Sequence, residues 1–219
     1  MTLIKICGIS TAETLDHCVR EGADMVGFVH FEKSPRHIDL ETMSALAALG
    51  RDRIETVALL VDPDDRLVAR VAGTGVGWLQ LHGRETPDRV AEIKAFAGLP
   101  VIKAVGIGEA EDLAAVTSYH LVADRLILDA RPPAEADRPG GLGARFDWSL
   151  LDALDPAMPF MLSGGLDCDN VAEAVSMVRP FGLDVSSGVE SAPGQKVPGL
   201  ISRFIANARA LAPSTREPR

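Results

Sequence analysis

Disulfide and structural-zinc chemistry find no framework in this chain, because its three cysteines, Cys7, Cys18 and Cys168, lie far apart without any Cys-x-x-Cys pairing. That spacing fits a reducing, cytoplasmic setting and implies no metal site. Long apolar runs are missing too: no stretch approaches the ~18 residues needed to cross a bilayer. Nor does a basic segment followed by an apolar run open the chain, so neither membrane insertion nor export is expected. Positive charge is scarce, with 22 Lys and Arg against 31 Asp and Glu for a net charge of −9. A nucleic-acid surface would need clustered cations to neutralise phosphates, so no nucleic-acid partner is expected. An anionic ligand must instead be held by a local device, such as backbone amides at a helix start or a placed arginine. Finally, the first strand is followed by Cys7-Gly8-Ile9-Ser10 rather than Gly-x-Gly-x-x-Gly, which removes the usual mark of an open, dinucleotide-binding sheet.

What the chain does contain is a repeated alternation of apolar strand-like runs and helical segments. Strands are expected at Leu3–Cys7, Asp24–Val29, Ile54–Val61, Gly77–Leu81, Pro100–Ala104, Arg125–Leu128, Pro159–Leu162 and Gly182–Val185. Between them, helices are expected over Ser10–Glu21, Asp39–Leu49, Asp64–Val71, from Pro87 onward, Glu109–Ser118, weakly over Asp147–Leu154, and over Asp169–Val178, with a closing helix over Gly199–Leu211. The proline- and glycine-rich stretch Ala130–Arg145 interrupts this rhythm as a loop. Strict alternation forces parallel strands, and eight of them in a chain of 219 residues close most naturally into a single (β/α)8 barrel. The expected domain is residues 1–211, with 212–219 as a C-terminal tail.

A barrel gathers the carboxyl ends of its strands on one rim, where chemistry is done. Here the strand ends deliver Cys7, the loop carrying Arg36, Asp62, His82, Lys103, Asp129, Ser163-Gly164-Gly165 and Ser186-Ser187-Gly188. Alternation along the first strand puts Leu3, Lys5 and Cys7 on one face and Ile4 and Ile6 on the other. An amine therefore shares a face with a thiol, and a nearby cation favours the thiolate, the form that takes protons. Asp184 shares the parity of Ser186 and is expected to neutralise Lys5 in part. The last two strand ends are small and glycine-bearing, which suits amides that grip a phosphate.

As a set, these residues resemble the phosphoribosylanthranilate isomerase family. The resemblance runs through Lys5-Ile6-Cys7-Gly8, Lys33-Ser34-Pro35-Arg36, Leu81-His82-Gly83, Leu128-Asp129, Gly141-Leu142-Gly143, Phe146-Asp147-Trp148, Ser163-Gly164-Gly165-Leu166 and Asp184-Val185-Ser186-Ser187-Gly188-Val189-Glu190. It implies an Amadori rearrangement of N-(5-phosphoribosyl)anthranilate in tryptophan biosynthesis, without a cofactor. Asp129 would be the general acid and Cys7 the general base, with Lys5 supporting the thiol. Arg36 would meet the anthranilate carboxylate, and His82, Gly164, Gly165, Asp184, Ser186, Ser187 and Gly188 would contribute to binding the phosphorylated substrate. A monomer or homodimer is expected. One departure is visible: Glu32 stands where the family often has proline in the Arg36 loop.

Overall fold

The computed structural model describes residues 2–210 except 132–134, 137–138, 142 and 144. The expected tail over 212–219 lies outside the described residues. Eight parallel strands close into a barrel in the order of the chain: β1 (Leu3–Cys7), β2 (Met25–Val29), β3 (Glu55–Leu60), β4 (Trp78–Leu81), β5 (Val101–Ile107), β6 (Arg125–Ala130), β7 (Met161–Leu162) and β8 (Gly182–Val185). Around them stand α1 (Ala12–Glu21), α2 (Leu40–Gly50), α3 (Asp65–Ala72), α4 (Pro87–Ala97), α5 (Leu113–His120), α6 (Val171–Val178) and α7 (Pro198–Ala210).

Local chemistry explains most of the boundaries. Thr11, Asp39, Asp64 and Thr86 each lend a side-chain oxygen to a backbone amide of the first turn of α1, α2, α3 and α4, satisfying a donor that the helix cannot. Gly22 ends α1 in the left-handed conformation, with φ of 78°. Gly50 does not close α2 as expected; it is the last helical residue, and the chain turns at Arg51. The segments expected as weak or continuous helix at Trp148–Ala153 and Ala110–Asp112 are 3-10 turns.

Side-chain parity splits the core in two. Ile4, Ile6, Val26, Phe28, Ala58 and Leu60 point outward and pack under the helices, while Met25, Val57, Ile102, Ala104, Ile127 and Met161 fill the barrel interior. The barrel closes through β1 and β8 in a register that sets Lys5 beside Asp184. A second sheet was not expected: β9 (Glu190–Ala192) and β10 (Gln195–Lys196) form an antiparallel hairpin after β8.

Candidate active site

The inward-facing residues at the carboxyl ends of the strands surround a cavity. Cys7 from β1, Arg36 from the loop after β2, His82 after β4 and Asp129 from β6 all line it, together with Ser163, Gly164, Gly165, Asp184, Ser186 and Ser187. Thus most of the residues singled out in the sequence meet at one opening. Its remaining wall includes Val29, Phe31 and Leu59, an apolar face suited to an aromatic ring.

Lys5 is fully buried and its Nζ lies 2.7 Å from Asp184 Oδ1. Burial alone would draw this ammonium down, but the charges of Asp184 and Cys7 outweigh it and hold the group above its ordinary value. For Cys7 the balance goes the other way. Burial pushes the thiol up, and the opposing pull of Lys5 and of a second cation, Lys196, does not cancel it. Lys5 thus acts on the thiol in the expected direction, and burial sets the larger, opposite effect. Gly27 of β2 makes room for both groups, since a Cβ there would lie 2.8 Å from Cys7 Sγ and 3.1 Å from Lys5 Nζ.

Asp129 faces the cavity with one oxygen on each side occupied differently. Its Oδ1 accepts the Ala130 amide at 2.8 Å, and its Oδ2 lies 3.3 Å from His82 Nε2. Gly140 comes close to both: a Cβ on it would sit 2.8 Å from Asp129 Oδ2 and 2.7 Å from His82 Cε1. Glycine is the residue that lets backbone approach so near.

Arg36 is held from behind. Its Nε donates to Glu190 Oε1 at 2.8 Å and its Nη2 to Glu190 Oε2 at 2.6 Å, a two-point pairing with a side chain of β9. Lys196, the cross-strand neighbour of Glu190 in the hairpin, places Nζ 2.7 Å from Glu190 Oε1. The same ammonium donates to the Ser186 carbonyl and hydroxyl oxygens. Among the described residues Nη1 of Arg36 meets no acceptor. The Arg36 loop is stitched internally despite Glu32, by Ser34 N to Phe31 O, His37 N to Ser34 O and His30 Nδ1 with Ile38 O.

On the opposite wall, Gly164 and Gly165 turn the chain with φ of 86° and 63°. Among the described residues the amides of Gly164, Gly165 and Ser187 have no backbone acceptor. Gly188 is not among the cavity-lining residues, and a Cβ there would overlap the Leu166 carbonyl oxygen, so this glycine allows the close approach of two backbones.

Two strand-end residues also leave the site. Lys103 alternates with the inward Ile102 and Ala104, so it points outward and binds Glu85 Oε2 at 2.6 Å and the Gly83 carbonyl at 2.8 Å. Asp62 follows the inward Val61 and accepts the Arg84 amide at 2.6 Å. Conversely, Glu190, Lys196 and Gly27 were missed as contributors. Pro193-Gly194 between two short segments is a hairpin signal, and it could have exposed the Glu190 and Lys196 pairing.

Residues 4–207 match the model of the N-(5'-phosphoribosyl)anthranilate isomerase family. An N-(5'-phosphoribosyl)anthranilate isomerase of Rhodopseudomonas palustris strain TIE-1 is 53% identical over 210 residues, spanning 95% of this chain and 99% of the relative. Among solved structures, phosphoribosyl anthranilate isomerase from Thermotoga maritima aligns with a TM-score of 0.84 at 36% identity, over 96% of this chain and 100% of the other. A phosphoribosyl anthranilate isomerase in complex with reduced 1-(o-carboxyphenylamino)-1-deoxyribulose 5-phosphate aligns with a TM-score of 0.82 at 34% identity, over 96% and 100% of the two chains. Sequence, barrel and rim thus converge, and the chain belongs to the N-(5'-phosphoribosyl)anthranilate isomerase family, the isomerases of tryptophan biosynthesis.

Proposed function

We propose that Asp129 and Cys7 carry the isomerisation as general acid and general base, working from opposite sides of the cavity on one sugar. Asp129 gives its proton to the ribose ring oxygen, the bond from that oxygen to C1 breaks, and the nitrogen lone pair forms an iminium. The Cys7 thiolate then takes the proton from C2, and the C2–H electron pair neutralises the iminium to an enolamine. Tautomerisation of the enolamine yields the open-chain 1-deoxyribulose ketone. The observation that carries this reading is that strands β1 and β6, three apart around the barrel, present a thiol and a carboxyl to a shared cavity. The relative solved with a carboxyphenylamino deoxyribulose phosphate lends the ligand class.

The wall formed by Gly164, Gly165, Ser186 and Ser187 holds the phosphate through its amides and hydroxyls, which matters in a chain with net charge −9. Arg36 receives the anthranilate carboxylate through Nη1, the atom that Glu190 leaves open. His82, whose Nε2 lies 3.3 Å from Asp129 Oδ2 at the cavity wall, contributes to holding the substrate. Purified protein mixed with N-(5-phosphoribosyl)anthranilate tests the reading: fluorescence of the adduct is expected to decay with enzyme concentration. In Arg36→Ala the Michaelis constant is expected to rise by about tenfold or more with a smaller change in turnover. An unchanged constant contradicts the role given to Arg36.

A further inference from the structure

Behind the cavity wall, Arg36, Glu190 and Lys196 form a cluster whose side chains are 4%, 3% and 2% exposed. Two cations flank one carboxylate. Glu190 touches both, through Oε2 to Arg36 Nη2 at 2.6 Å and through Oε1 to Lys196 Nζ at 2.7 Å. Lys196 and Glu190 are not among the residues that line the cavity; Arg36 is. The neighbouring Lys5 and Asp184 pair adds no net charge.

This arrangement bears on how a carboxylate is recognised. A guanidinium already paired at two points with Glu190 is close to neutral when viewed from the cavity. A ligand carboxylate arriving at Nη1 would share that one guanidinium with Glu190, and two carboxylates on one cation repel each other. Lys196 removes the conflict, because its ammonium balances Glu190 from the far side and leaves the charge of Arg36 uncancelled. The fold takes trouble to put it there. Glu190 and Lys196 face each other across the hairpin, and the tip of that hairpin packs so tightly on the Arg36 loop that a Cβ on Gly194 would lie 2.6 Å from the Pro35 carbonyl. Hydrogen bonds from Nζ to both oxygens of Ser186 fix the ammonium against the end of β8.

We propose that Lys196 is a positioning residue for carboxylate recognition: by neutralising Glu190 it lets Arg36 receive the ring carboxylate of the substrate with a full positive charge. The inference deepens the function proposed above and rests on the role given there to Arg36.

The test is ligand binding measured by calorimetric titration. Two probes are used: reduced 1-(o-carboxyphenylamino)-1-deoxyribulose 5-phosphate and its phenylamino counterpart lacking the ring carboxylate. In Lys196→Met, Glu190 keeps Arg36 as partner, so no buried charge is left alone. This variant is expected to lose about tenfold or more in affinity for the carboxylated probe and less than about threefold for the other. The double variant Glu190→Gln, Lys196→Met restores the net charge of the cluster. It is expected to bind the carboxylated probe within about threefold of wild type. Equal weakening toward both probes, no weakening, or a selective loss that the double variant does not recover overturns this inference alone. A wild-type protein that binds neither probe overturns the proposed function and this inference with it.

Discussion

At Cys7 two effects of opposite sign meet. Burial favours the neutral thiol, while Lys5 and Lys196 favour the thiolate, and the balance leaves the resting thiol above its ordinary value. The sign gives a pH expectation. Activity requiring the thiolate rises with pH, so kcat/KM of the free enzyme should climb through the raised Cys7 value. Lys5→Met removes a cation and should shift that limb to higher pH; an unmoved limb contradicts the coupling. Gly27 gives a second check at this scale. A methyl group 2.8 Å from Sγ must displace it, and displacement of a reacting group by about 1 Å can cost about 100-fold. Gly27→Ala is therefore expected to fold and to lose turnover by about tenfold or more, while wild-type turnover would contradict this packing. The Lys5 and Cys7 juxtaposition was legible from the alternation of one strand. The outcome at the thiol was not, because burial depends on strands distant in sequence.

Among the elements, the turn after β4 is organised by one buried carboxylate. Glu85 accepts the Asp62 amide at 2.8 Å and the Gly83 amide at 3.0 Å, and pairs with Lys103 at 2.6 Å, both side chains being 2% exposed. This turn begins at His82, which faces Asp129. Glu85→Gln leaves the Lys103 ammonium without a charged partner, and breaking a buried pair costs about 3–5 kcal/mol. A urea midpoint lowered correspondingly is expected, and a midpoint equal to wild type contradicts the role assigned to Glu85. Eight strands and most helices were readable from the alternation of apolar runs with helical segments. Lys103 and Asp62 were misassigned to the site by proximity to strand ends; parity within β5 turns Lys103 away, and Asp62 lies beyond the end of β3 in the left-handed region. The hairpin escaped notice because strands of three and two residues carry little periodic signal. Gly188 looked like its neighbours in sequence, yet only the folded approach of Leu166 shows what its missing side chain is for.

For the molecule as a whole, buried thiols couple stability to alkaline pH. Cys18 is fully buried between barrel and helices, and burial pushes its thiol up to about 12 from an ordinary 9.0. The folded state therefore keeps a proton that the unfolded chain gives up. Its contribution is fully present below pH 9 and is lost as pH rises toward 12, at about 1.4 kcal/mol per pH unit. Cys7 shifts in the same direction, and Lys5, raised above its unfolded value, adds a loss at still higher pH. Urea midpoints measured between pH 8 and pH 11 are expected to fall steeply in the wild type and less steeply in Cys18→Val. Parallel declines would remove Cys18 from the explanation.

The barrel brings a sulfur and a carboxyl to a common opening, and their shared work is the claim on which the mechanism stands. It is tested most directly by single-turnover kinetics on N-(5-phosphoribosyl)anthranilate with Cys7→Ala and Asp129→Asn, alongside binding of the reduced product analogue. Each variant is expected to bind the analogue nearly as the wild type does and to lose about 10²–10⁴-fold in rate. Wild-type turnover in either variant, with binding intact, would contradict the assignment.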